Sequence, residues 1–155
     1  IGLAVNAYRH DRHGAYLVGS APLLGFTHRE QVLLALLVRY HLRGRPRLGP
    51  FQSLCEPGDK RLLKTLVACL RLADHLDRPR AQRAESLRVE IGKSEVTVRV
   101  LSNEDLDVEL WQIEQHQELF RLAFDRRLIV ERGRSSTPDS VDSAAGLPEK
   151  TVTPL

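Results

Sequence analysis

DKRLLKTLVACLRLADHLDR, Asp59 to Arg78, is the stretch whose reading decides the fold. Leu63, Val67 and Leu70 recur in it at steps of three or four, which is one face of a helix. The same stripe, continued, reaches Asp74 and Asp77. A buried carboxylate without a partner costs roughly several kcal/mol, so an acid ending an apolar stripe must pair, hold a metal or take up a proton. Pairing with Arg71 or Arg78 on its own helix is the simplest outcome. Asp59, after Pro57-Gly58, is placed to cap the start. Pro79 ends the helix, because the residue before a proline is pushed out of the helical region.

Working backwards, Thr27-His28-Arg29-Glu30 has the spacing of a capping box. Val32, Leu33, Leu34, Leu36, Leu37 and Val38 follow, apolar on more than one side, so this second helix is expected at the centre until Gly44 and Pro46 stop it. His41 lies four residues after Leu37 and three after Val38 and extends the inward stripe. A shorter helix is expected from about His13 to Ser20, ended by Pro22 and Gly25. Asn6 to Arg12 reads as a polar turn, and Ile1 to Val5 as the tail of an element begun upstream. Arg43 to Gly58 is a loop anchored by Phe51 and Leu54.

Downstream the period changes from helical to alternating. Leu87, Val89 and Ile91, then Val96, Val98 and Val100 across Gly92-Lys93, predict a hairpin. A helix over about Val108–Phe124 follows, with Leu110, Ile113, Leu119, Phe120 and Ala123 inward, and Arg127–Glu131 reads as a third strand. Residues 135–155 are rich in Ser, Thr, Pro and Ala and show no period, which predicts a disordered tail. The fold class is thus mainly α: a helical domain over 1–80, a small β-β-α-β module over 84–132 and a disordered tail over 133–155.

Composition narrows the function. Hydrophobic residues at 42% and charged residues at 28% describe a globular protein. The chain has no Met and opens on Ile1-Gly2, so a fragment lacking its N-terminal part is expected. Net charge is +3, and the tail is acidic, so the positive excess belongs to the residues before it. Arg outnumbers Lys, and the guanidinium fork suits phosphate. Cys55 and Cys69 have no metal spacing and predict a reducing cytoplasm, with Cys69 packed as a small apolar residue. The apolar run Val32–Val38 is far short of the ~20 residues that span a bilayer.

His13, His41 and Asp74 stand at the ends of apolar stripes on three helices. They could meet around a divalent metal, or His41 could simply bond Asp74. His10, beside Asp11 and Arg12, reads as a solvated loop residue, His75 as lying off the inward stripe, and His28 and His116 as without a role. No serine or cysteine nucleophile has a base in a recognisable setting, and there is no Gly-rich phosphate loop, so no catalytic residue is assigned. Arg39, Arg43, Arg45, Arg47, Lys60, Arg61 and Lys64 flank one loop and are the phosphate-binding candidates. Aromatic residues are scarce there, which makes nucleic acid an unlikely partner.

RHDRHGAYLV, GFTHREQVLLALLVRYHLRG and LLKTLVACLRLADHLDR, in this order and spacing, resemble the C-terminal half of the exopolyphosphatase and guanosine pentaphosphate phosphohydrolase family over about Ile1 to Glu131. The resemblance implies an HD-like helical domain followed by a small α+β domain, taking part in a homodimer and in a basic channel for polyphosphate or pppGpp. It places hydrolysis, with Mg, in N-terminal actin-like domains that are absent here, so this chain by itself would be neither catalytic nor in need of a cofactor. Asp74 matches the late Asp of HD enzymes, and His13 and His41 match accessory histidines of some HD subfamilies; the His-acid pair would fall before Ile1. The expected function is a non-catalytic accessory domain. The alternatives are an HD-type metal phosphohydrolase, with a divalent ion at His13, His41 and Asp74, and an Arg-rich adaptor for protein or nucleic acid.

Overall fold

A computed structural model describes residues 1–77, 83–115 and 117–133. After a 3-10 turn at Gly2–Ala4 come α1 (His10–Ser20), α2 (His28–Tyr40), a 3-10 turn at Gly49–Leu54, α3 (Asp59–Leu76), β1 (Ser86–Ile91), β2 (Glu95–Leu101), α4 (Asp107–Gln115), α5 (Glu118–Phe124) and β3 (Arg127–Gly133). This is the mainly helical architecture with a small sheet that the periodicities predict. The helix stop at Pro79 and the expected tail from residue 134 onward lie outside the described residues.

The capping box at Thr27 forms as read: the Thr27 hydroxyl accepts from the Glu30 amide, and the Glu30 carboxylate accepts from the Thr27 amide at 2.8 Å. Helix α3 departs from its reading. Leu63 and Val67 are fully buried, but Leu70 is 41% exposed, Asp74 is half-buried and Cys69 faces outward. His75, placed off the stripe by sequence, is only 6% exposed and donates from Nδ1 to the Arg71 carbonyl at 2.6 Å. The cause is that α3 packs against α2 on one side and α4 and α5 on the other. Its buried face is therefore wide and centred away from Leu70. Leu62, Leu66 and Leu70 form a row of fourth residues left at the surface.

The sheet has order β1-β2-β3, with β1 antiparallel and β3 parallel to β2. Two parallel strands need a crossover, and α4 and α5 supply it. On one unbroken helix Leu119 would stand about 120° round from Ile113. The division into two helices lets Ile113, Leu119, Phe120 and Ala123 all turn inward. The register sets Val96 and Val98 between Leu128 and Val130 on one side and Ile91 and Val89 on the other. The helices pack over β3, and the described contacts show neither helix over β1. Leu87, Val89 and Ile91, the apolar side of the alternating pattern, are therefore 51%, 55% and 73% exposed. On the opposite face Arg99 bridges the strands, with Glu131 at 2.6 Å and Glu90 at 3.5 Å, which offsets Arg88 directly across from it.

One apolar cluster runs from Leu33 and Leu36 through Leu63 and Val67 to Val130. In the loop before α3, Phe51 and Leu54 stay largely exposed, and Leu48 packs on the core in their place. Among the described residues no helix is long and apolar enough to cross a membrane. Leu63→Ala is expected to cost about 3 kcal/mol, within the usual range for a buried leucine, and Leu70→Ala less than about 1 kcal/mol. Urea unfolding midpoints at constant slope check the difference; equal losses would restore the sequence-read stripe.

Candidate functional site

Glycines allow close approach to α1 on two sides, Gly14 toward α2 and Gly2 from the preceding 3-10 turn. A Cβ on Gly14 would stand 2.8 Å from Val38 Cγ1, and one on Gly2 would strike the His10 carbonyl oxygen. Helix α1 begins three residues earlier than read, after Arg9 in the left-handed region at φ 56°, so His10 belongs to the helix and not to a solvated loop. Its Nε2 stands 3.3 Å from His41 Nε2. His10 Nδ1 meets the Ala7 carbonyl at 3.2 Å, and His41 Nδ1 meets the Val38 carbonyl at 2.7 Å. Next to His10, Asp11 is 3% exposed and carries an ion pair with Arg39.

This arrangement corrects the expected His41–Asp74 pair. His41 Nδ1 is held by the Val38 carbonyl and its Nε2 faces His10, and among the described residues His41 makes no bond to Asp74. Nor does Arg71 serve Asp74: its guanidinium donates to the Tyr40 carbonyl at 2.7 Å and the Gly44 carbonyl at 2.7 Å, closing the end of α2. Burial lowers the Arg71 pKa. His13 is half-buried, on the same helix as His10. Among the described residues no three His, Cys, Asp or Glu side chains gather closely enough to hold a metal, so His13, His41 and Asp74 are not brought together as a ligand set. The pairing of His10 with α2 had a signal in the sequence. His10 precedes Gly14 by four residues and Leu17 by seven, so the α1 stripe extends back through it.

A second cluster ties the start of α2 to the start of α3. Asp59 is 2% exposed and takes both ends of the Arg29 fork, from Nε at 2.9 Å and Nη2 at 2.7 Å. It also accepts the Glu56 amide at 2.7 Å. Gly58, at φ 107°, is the cap of α3, and Asp59 is its first residue instead of the cap. The Arg29 bonds and the Glu56 amide hold the Asp59 carboxyl down from 3.8 to about 2. The same bond raises Arg29 further above its ordinary value, and burial beside Asp59 raises the Cys55 thiol.

The seven phosphate candidates divide by partner. Arg39 is committed to Asp11, and Arg45 reaches Glu118 at 2.5 Å with both side chains exposed. Arg43, Arg47, Lys60 and Arg61 are exposed and Lys64 half-buried, and among the described residues none of these five forms an ion pair. Lys60 and Arg61 occupy the first turn of α3, where the helix dipole disfavours cations and favours anions. Beside the loop is a cleft of about 230 Å³ lined by Gly44, Arg45, Arg71, Glu118, Leu119 and Leu122.

The depressed Asp59 carboxyl has a pH signature. The stability it contributes is fully present above its unfolded value near 4 and is lost as pH falls through about 2. Unfolding monitored between pH 5 and pH 2 is expected to show wild type losing stability across that window and Asp59→Asn losing less. Parallel curves for the two proteins would contradict the pairing with Arg29.

The match to known families covers both the helices and the sheet. Residues 1–130 match the family model for Ppx/GppA phosphatase, domain III. That span takes in η-turn, helices, hairpin and most of β3 as one unit. The chain belongs to the Ppx/GppA phosphatase family, as its domain III.

Proposed function

We propose that this chain is the C-terminal accessory part of an exopolyphosphatase or pppGpp phosphatase-like protein. It holds the polyphosphate chain and contacts a second subunit, while Mg-dependent hydrolysis belongs to actin-like domains elsewhere in the parent protein. The observation that carries this reading is the set Arg43, Arg47, Lys60 and Arg61, exposed on one loop and the first helical turn after it, with no acidic partner among the described residues. Evolution of a merely solvated surface gives no reason to place Lys60 and Arg61 against the helix dipole, whereas a bound anion does. Cys55 and Cys69 are free thiols, in keeping with a cytoplasmic setting. The subunit contact draws on the outward row Leu62, Leu66 and Leu70, three exposed leucines on one side of α3.

Polyphosphate titrated against salt tests the anion reading. Log affinity is expected to fall linearly with log salt, at about 0.7 per phosphate contact as for single-stranded polyanions. Replacing Arg43, Arg47, Lys60 and Arg61 by Gln should flatten that slope by about 3. Binding indifferent to salt, or unaltered in the variant, sinks it, and pppGpp run in parallel separates the two ligands. For the subunit contact, sedimentation velocity is expected to show a dimer that Leu66→Glu converts to monomer. A wild-type monomer at tens of micromolar, on the order of ordinary dimer affinities, would refute that part.

A further inference from the structure

The two imidazoles at the α1–α2 seam face one another in a way that hydrogen bonding alone does not satisfy. A carbonyl oxygen only accepts, so the contacts to Ala7 and Val38 put the ring proton of each histidine on Nδ1. In the neutral rings both Nε2 atoms then carry lone pairs, and the two atoms stand 3.3 Å apart. Two acceptors held in this manner need a proton or a metal ion between them. The ring centroids are 5.3 Å apart with planes tilted by 56°, so the edges converge and the faces do not stack.

We propose that His10 and His41 form a two-imidazole site for a borderline transition-metal dication of the zinc type, with water completing the coordination. Nitrogens bound at about 2.0–2.1 Å to a tetrahedral zinc stand about 3.3–3.4 Å apart, which is the separation present here. Each ligand has its outer support in place, since metal-bound histidines donate the other ring N–H to a carbonyl or carboxylate. Both rings are half-buried, so water and an ion can reach their edges. The neighbouring charges of Asp11 and Arg39 compensate one another and do not repel the ion. Preorganisation comes from the backbone: Gly14 lets α2 approach α1, and that approach fixes the distance between the rings. The pair differs from the His13–His41–Asp74 set expected from the apolar stripes, because His10 takes the place of the other two and no third protein ligand is required. It is independent of the polyphosphate reading, which uses other residues.

Calorimetric titration of the full chain with zinc is the test, with copper and magnesium as comparisons. One equivalent of zinc should bind, copper should bind more tightly and magnesium should not bind, as nitrogen ligands dictate. His10→Ala and His41→Ala should each weaken zinc at least tenfold, and His28→Ala, at an exposed position, should leave it unchanged. If either alanine variant fails to fold, imidazole nitrogen NMR of the wild type gives the answer separately: zinc should shift Nε2 of His10 and His41 and leave their Nδ1–H bonds intact. A wild type that takes up no zinc overturns the proposal, as does zinc binding that survives His10→Ala. Binding that is lost in His13→Ala and Asp74→Ala but kept in His10→Ala assigns the ion to the other set and overturns it equally.

Discussion

Helix α3 has to bury two faces at once. Leu63 and Val67 have no exposed surface, and His75, Leu76 and Ala68 are nearly as enclosed. One set of neighbours is α2, the other is α4 and α5, and the apolar cluster is continuous through all of them. Dispersion and burial on that scale outweigh any single polar contact in the molecule. The loop between α2 and α3 therefore takes whatever path this packing allows. That path exposes Arg43 and Arg47, and the start of α3 exposes Lys60 and Arg61.

Buried charge is handled by strict pairing. Asp11 goes to Arg39 and Asp59 to Arg29, each acid almost without solvent contact. An isolated carboxylate at either place would be costly, and removing one partner would leave the other uncompensated. Each pair ties a helix to the next one in the chain, α1 to α2 and α2 to α3. Arg71 works alike on backbone, tying the end of α2 to the middle of α3 through the Tyr40 and Gly44 carbonyls. Charge thus divides into two populations. One fixes the register of the helices, and the other, Arg43, Arg47, Lys60 and Arg61, stands in water with no acidic partner among the described residues.

The surplus of apolar surface is also divided. The outward row of α3 and the uncovered face of β1 both leave aliphatic side chains in solvent. In β1 the reason is purely geometric. The two short helices pack over β3, at one edge of the sheet, and β1 lies at the other edge, beyond β2. Alternation within the strand is real, yet it records which face a residue belongs to and not whether anything covers that face.

Local patterns in the sequence settled the kinds of elements and their order. The Thr27-to-Glu30 capping box, the valines of β2 and the stop signals at Gly44 and Pro46 each act within a few residues of themselves, so no distant partner can change their meaning. The resemblance of three separated stretches to a phosphatase family was also legible, and a family match over residues 1–130 agrees with it. What the sequence did not contain was the choice of partner. Asp74 and His41 each extend an apolar stripe, but His41 meets His10 because α1 lies against α2 and because Gly14 permits the approach. Asp59 looked like a cap and became the anchor of Arg29, thirty residues away. Periodicity fixes the direction of a side chain relative to its own helix axis, and only the packing of helices against one another decides what stands in that direction.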